Sequence, residues 1–149
     1  MHLPFSNTVL HPPGMPNQSF KPATANSFTK LLRSFGYAFK GIRYAATTQL
    51  NFRIHLVATL LAVFMGLWLK ITSDEWRWIT LCIALVLVVE LLNTAIETLT
   101  DLASPGYNEK AGHVKDVAAG AVVITAVFAV ITGFIIFLPK IINLFSHAA

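Results

Sequence analysis

Charge is what this chain has least of. Only 12% of its 149 residues are Asp, Glu, Lys or Arg, about half the share usual in a soluble domain. Cysteine is almost absent. The single Cys82 excludes an intrachain disulfide and a thiolate metal cluster, and within an apolar run it reads as a small buried apolar residue. Nothing matches GxxxxGK(S/T), HExxH or GxSxG, so P-loop, zincin and hydrolase-elbow chemistry are not written here. The histidines His2, His11, His55, His113 and His147 are scattered without metal-ligand spacing, and His55 reads as an interfacial hydrogen-bonding group rather than a catalyst. No dense basic cluster with interleaved aromatics suggests a nucleic-acid groove. Residues 1–20 hold no Lys or Arg and no sustained apolar core, so they do not read as a secretory signal. There is no internal repeat.

What is present is apolar. Hydrophobic residues make up 55% of the chain, and the mean hydropathy is +0.64. These values indicate an integral membrane protein. The net charge of +4 is unevenly spread: Lys21, Lys30, Arg33, Lys40, Arg43 and Arg53 all precede the first long apolar run. Basic charge placed this way suits a membrane surface.

Residues 1–26 contain Pro4, Pro12, Pro13, Pro16 and Pro22 among Ser, Thr and Asn, and such a stretch predicts a disordered tail. Residues 27–48, SFTKLLRSFGYAFKGIRYAATT, predict an amphipathic surface helix with Ser27 as its N-cap. Leu31, Leu32, Phe35, Phe39 and Ile42 fall at helical spacing, and Lys30, Arg33, Lys40 and Arg43 lie off that stripe. Three membrane spans follow, at 51–69, 76–101 and 114–138, joined at their far end by a loop over 102–113 and followed by a tail at 141–149. Each reaches the roughly 20 residues needed to cross the hydrocarbon core. Trp68, Trp76 and Trp78 mark one interface. The Lys/Arg excess on the N-terminal side predicts a cytoplasmic N-terminus, a cytoplasmic 102–113 loop and an external C-terminus.

One stretch contradicts the apolar pattern. VVELLNTAIETLTD, residues 88–101, sets Glu90, Asn93, Glu97 and Asp101 where lipid is expected. On a helix these four fall within roughly 80° of one another, while Leu91, Leu92, Ala95 and Leu99 take the opposite face. A carboxylate in hydrocarbon is costly, so the stripe must face protein, water or a metal. It predicts a polar site near the inner membrane surface; the competing reading is a set of interhelical hydrogen bonds. Asp101 sits at the interface, where a solvated carboxylate is ordinary. Beyond it, LASPGYNEKAGHVKD leads to Lys115 and Asp116, placed at the start of the third span. A lysine there can hold a phosphate beside helix-terminal N–H groups. Ala118, Ala119, Gly120 and Ala121 allow close helix packing.

ELLNTAIETLTD followed by KDVAAGAVV resembles the signature of the prokaryotic diacylglycerol kinases, which include the undecaprenol kinases. FTKLLRSFGYAFKGIRYA and NFRIH resemble that family's surface helix and the start of its first span, so the likeness covers about residues 28–138. The resemblance implies an all-α integral membrane protein, a homotrimer with its lipid-kinase domain over 27–140. It would sit in the bacterial inner membrane and move the γ-phosphate of MgATP to the hydroxyl of a lipid alcohol at the cytoplasmic face.

By the same resemblance Glu90 would be the catalytic base and Asn93 would orient the site. Glu97 would bind Mg²⁺, and Lys115, Asp116, Tyr37 and Lys30 would contact nucleotide, with Gly106, Tyr107 and Asn108 in the nucleotide loop. The chain departs from the family at Gln49, where a second metal-binding Glu is usual, and in SPGYN, where a Glu and a His are usual at 106 and 108. Gln keeps an oxygen donor but loses the charge that Mg²⁺ prefers. Asp101 or Asp116 are candidate substitutes. NFRIH and the Thr of NTAIE resemble the undecaprenol-kinase branch more than the diacylglycerol branch. Two rivals stand beside this reading. One is a catalytically weakened or non-catalytic relative with a structural or regulatory role. The other is an ion or proton carrier using Glu90 and Glu97, for which the third span supplies no polar path.

Overall fold

A computed structural model describes residues 26–146. The tail expected over 1–26 lies, apart from Asn26, outside the described residues. Four helices follow in order: α1 (Ser27–Thr48), α2 (Leu50–Trp68), α3 (Ser73–Ala103) and α4 (Glu109–Ser146). Of these, α2, α3 and α4 are long and apolar enough to cross a membrane. The protein is thus an all-helical, multi-pass membrane protein.

The central element is α3. About a third of its most apolar window is buried inside the chain, against 11% for α2 and 17% for α4. It packs chiefly on α4 as an antiparallel hairpin through residues 104–108, and α2 lies against the pair. At 31 and 38 residues, α3 and α4 are roughly 46 and 57 Å long. Both exceed the ~30 Å hydrocarbon thickness, so their ends reach into the polar zones. The remaining apolar side chains, among them Leu60, Phe64, Val123, Ile131 and Ile135, are exposed from the chain, as a lipid-facing surface requires.

The hydrophobic core sits at the α2–α3 turn. Ile71, Ile79, Ile136 and Phe137 form it, with Met65 and Trp76 packed against them. The turn is built from local rules. Ile71 N–H donates to Gly66 O at 3.1 Å and Lys70 N–H to Leu67 O at 3.3 Å, the paired bonds of a Schellman ending. Lys70 takes the left-handed position with φ of 50°, which glycine fills more cheaply. Thr72 then opens α3 with a capping box: its Oγ1 accepts from Glu75 N–H and its own N–H donates to Glu75 Oε2. Lys140 Nζ reaches the same Glu75 Oε2 at 3.1 Å and ties the far part of α4 to this corner.

Gly66 makes the corner possible. A Cβ there would lie 2.8 Å from Trp76 Cη2 and 3.1 Å from Ile71 Cδ1. Gly66→Ala is expected to destabilise the protein by about 1–3 kcal/mol, the usual cost of overpacking. Thermal unfolding in detergent measures it, and an unchanged midpoint would show that the Trp76 ring moves aside freely.

The helix bounds differ from the sequence reading at several ends. α1 spans 27–48 as expected, but Ser27 is its first helical residue, not its cap; Asn26 is the cap, without a side-chain bond. α3 begins at Ser73, three residues before the expected 76, because the capping box nucleates it there. The expected 102–113 loop shrinks, since Asn108 Oδ1 accepts from Lys110 and Ala111 N–H and starts α4 at Glu109. α4 also continues past 138 through Pro139 to Ser146, so most of the expected 141–149 tail is helical where described. The break between α1 and α2 is one residue, Gln49, in extended geometry with φ of −102° and ψ of 118°.

Candidate functional site

The polar stripe of α3 points inward. Glu90, Asn93 and Thr94 are buried, at 1%, 5% and 4% exposure, in a helix otherwise dressed with apolar side chains. Residues three and four apart share a helix face, and burying Ile79, Cys82 and Val86 earlier in α3 carries the same face on to Glu90. Two threonines on this stretch satisfy themselves. Thr94 Oγ1 donates to Glu90 O at 3.0 Å and Thr98 Oγ1 to Thr94 O at 2.8 Å.

Glu90 and Asn93 do not. Asn93 Nδ2 donates to Glu97 Oε1 at 3.0 Å, which fixes the amide and holds Glu97 in orientation. Asn93 Oδ1 and Glu90 Oε2 are buried with no hydrogen-bond partner among the described residues. Glu97 lies about two turns nearer the loop end of α3 than Glu90. Among the described residues, the groups acting electrostatically on Glu90 are Glu97 and His55 of α2.

At the loop end, Lys115 Nζ donates to Asp101 Oδ1 at 2.7 Å and bridges α4 to α3. Glu97 also lies within Coulombic range of this lysine. Lys115 is not at the start of a helix, as the sequence suggested. α4 begins six residues earlier, so the free N–H groups of its first turn lie away from Lys115, and Asn108 already caps two of them. Asp101 is occupied by that lysine, which weakens it as a substitute for the carboxylate missing at Gln49.

The other sequence candidates are dispersed. Lys30 and Tyr37 lie on the exposed part of α1, Tyr37 with Lys40 Nζ 5.7 Å from its ring centre. Gly106 and Tyr107 are exposed in the α3–α4 loop, and Asp116 is exposed on α4. Gln49 is half-buried at the α1–α2 break. The later part of α1 does approach the site: Gly41 and Ala45 share a groove of about 680 Å³ with Leu91, Thr94 and Thr98. Within one chain, then, Glu90, Asn93 and Glu97 come together and Asp101 joins Lys115, while Lys30, Tyr37, Gly106 and Tyr107 stay apart.

No three His, Cys, Asp or Glu side chains converge on a common point among the described residues. That suits Mg²⁺ of a particular kind, one held by one or two carboxylates plus substrate phosphates rather than by a protein cage. Glu97, with Oε1 held by Asn93 and a lysine in Coulombic range, fits such a role. Sequence reasoning undervalued His55. Its signal was a polar residue early in an apolar span, but its place on a cavity shared with α3 and α4 is tertiary.

A helical protein with three helices fit to cross a membrane and a carboxylate, Glu90, buried among them belongs to the class of polytopic membrane proteins. Residues 36–137 match the family model described as prokaryotic diacylglycerol kinase. The chain is 39% identical over 128 residues to a diacylglycerol kinase of Synechocystis, covering 83% of this chain and 73% of that one. It is 39% identical over 116 residues to an undecaprenol kinase of Bacillus subtilis, covering 78% and 94%. To a diacylglycerol kinase of Escherichia coli it is 38% identical over 105 residues, covering 70% and 86%. The chain belongs to the prokaryotic diacylglycerol kinase family, and is an enzyme of the membrane lipid-kinase class.

Proposed function

We propose that this protein transfers the γ-phosphoryl group of MgATP to the hydroxyl of a membrane lipid alcohol, at the cytoplasmic end of α3 in a bacterial inner membrane. The observation that carries the reading is the pair of buried, unpartnered acceptors, Glu90 Oε2 and Asn93 Oδ1. Leaving a buried acceptor unpaired costs about 1–3 kcal/mol. A purely structural ladder would have no reason to keep two of them, whereas a site that receives a hydroxyl does.

In this mechanism the lipid hydroxyl donates its hydrogen bond to the Glu90 carboxylate. As the hydroxyl oxygen forms its bond to the γ-phosphorus, its proton passes to Glu90 and the bond to the β-phosphate oxygen breaks, releasing ADP. A general base must lie within hydrogen-bond reach of the proton it takes, so in this reading the lipid hydroxyl comes in to the buried Glu90 side chain. Asn93 orients Glu97, and Glu97 would hold Mg²⁺, which when bound neutralises charge on the phosphates. Lys115, paired with Asp101 one turn beyond Glu97, would offset the remainder. Phosphoryl transfer asks for positioning and charge neutralisation more than for covalent chemistry.

Lys30, Tyr37, Asp116 and the Gly106–Tyr107–Asn108 loop are exposed where a water-borne nucleotide can meet them. A homotrimer would supply the walls that one chain leaves open, including a cover for the exposed apolar stripe of α1. Relatives are named for both diacylglycerol and undecaprenol; the NFRIH and NTAIE segments favour the polyprenol.

Purified protein in mixed micelles with MgATP is expected to form one phosphorylated lipid for each ADP released. ADP without lipid phosphate, or no ADP at all, contradicts the proposal. Gln49 gives a further test. If it is the weakened second metal ligand, Gln49→Glu lowers the Mg²⁺ concentration needed for half-maximal activity several-fold. An unchanged Mg²⁺ dependence removes position 49 from the metal site.

A further inference from the structure

Among the described residues, two ion pairs cross between α3 and α4, and they tie opposite ends of the hairpin. Lys140 and Glu75 hold the corner at the α2–α3 turn. Lys115 and Asp101 hold the end at the α3–α4 loop, with Nζ 2.7 Å from Oδ1. The other pairs lie within single helices, Arg77 with Asp74 and His113 with Glu109. α3 ends at Ala103, just past Asp101, and α4 begins at Glu109, before Lys115. The Lys115–Asp101 pair therefore closes the hairpin beneath residues 104–108.

Stability gives this pair little reason to exist. Asp101 keeps 66% of its side chain exposed and Lys115 38%, and ion pairs so exposed contribute little to folding. Position gives it one. Asp101 falls one helical turn after Glu97, itself one turn after Asn93, so the three share a face of α3. Lys115 comes from the other helix. Its stem is long and flexible, and the bond to Asp101 selects a rotamer that leans toward this row. The ammonium has three N–H donors. Asp101 takes one of them, which leaves two for a phosphate.

Resting on the lipid-kinase reading, we infer that Asp101 is a positioning residue for Lys115: its carboxylate holds the ammonium at the turn after Glu97, where the phosphates of MgATP arrive. Asp101 then acts through the lysine, and not as a substitute metal ligand for the carboxylate absent at Gln49. A carboxylate that instead competed with the phosphates for this lysine would weaken nucleotide binding. Positioning and competition thus differ in sign, and removal of the Asp101 charge tells them apart.

The test compares Asp101→Asn, which keeps the shape and removes the charge, with Asp101→Glu, Lys115→Ala and the double variant Asp101→Asn with Lys115→Ala. All are assayed beside wild type as full-length protein reconstituted in vesicles with MgATP and lipid alcohol, and binding of a non-hydrolysable ATP analogue is measured on the same samples. Asp101→Asn is expected to lower kcat/KM for MgATP roughly tenfold and to weaken analogue binding. Its thermal unfolding midpoint in detergent and its free Mg²⁺ requirement should stay at the wild-type values. Asp101→Glu should recover part of the loss. With Lys115→Ala already present, Asp101→Asn should cost less than about twofold more, since the two residues act as one unit. Tighter analogue binding in Asp101→Asn would show competition, and a raised Mg²⁺ requirement would show a metal ligand; either overturns the role. An unchanged kcat/KM, or losses that multiply in the double variant, would overturn it too. If Asp101→Asn does not fold, Asp101→Glu decides: near-wild-type kcat/KM supports the role, and a loss as large as that of Lys115→Ala contradicts it. Wild type that labels no lipid would instead overturn the kinase reading itself.

Discussion

Glu90→Gln is expected to lower lipid phosphorylation by a factor of roughly 10²–10⁴ at saturating MgATP and lipid, the range that general acid–base catalysis contributes. The change is nearly isosteric. It keeps a carbonyl oxygen in the buried slot and removes the capacity to take a proton. Because Glu90 is 1% exposed, with one oxygen already unpartnered, the amide need not break an existing hydrogen bond, so stability should change less than rate. Nucleotide affinity should be preserved, since Lys30, Tyr37, Asp116 and the Gly106–Asn108 loop, proposed to meet the nucleotide, are exposed and apart from Glu90. A variant with near-normal turnover would show that Glu90 is an interhelical packing group. A variant that lost nucleotide binding would show that its effect is structural.

Glu97→Ala has the second large effect. Glu97 is the half-buried carboxylate whose Oε1 is held by Asn93. Its removal should raise the Mg²⁺ requirement at least about tenfold, the lower end of what even outer-shell changes do at metal sites. Rate at saturating Mg²⁺ should fall too, because Asn93 Nδ2 loses its acceptor and the amide beside Glu90 is no longer fixed. Glu97→Asp, with a shorter reach, should fall between. Titration of activity against Mg²⁺ at fixed ATP separates the two contributions. An unchanged Mg²⁺ midpoint in Glu97→Ala would place the metal elsewhere.

Much of the architecture could be read from residue pattern. Four helices were expected and four form, because the apolar runs are long and the punctuation between them is strong. The buried stripe could be read from helical arithmetic: Glu90 and Asn93 do lie on one inward face. What escaped was either a short local signal or a tertiary contact. TSDE at 72–75 is a capping box in plain view, overshadowed by the aromatic belt at Trp76 and Trp78. Asn108 looked like a loop residue and is a cap, and its capping moved the start of α4 away from Lys115. The third span was expected to end at 138, yet the helix continues through Pro139 to Ser146.

The cross-helix pairings had no sequence signal. Lys115 meets Asp101 because the hairpin folds residues fourteen apart onto each other. Lys140 meets Glu75 because the antiparallel hairpin brings the end of α4 back to the start of α3. His55 comes to line a cavity with Val86 of α3 because α2 packs against α3. Such contacts are set by the packing of complete helices, and spacing along one helix does not encode them.

The most direct measurement is transfer of ³²P from γ-labelled ATP to lipid, with diacylglycerol and undecaprenol offered together to the wild type and to Glu90→Gln. A labelled lipid in the wild-type reaction, with undecaprenyl phosphate exceeding phosphatidic acid and both lost in Glu90→Gln, is the expected result. No labelled lipid under conditions where the Bacillus subtilis or Escherichia coli relative works, or equal labelling by Glu90→Gln, would contradict it.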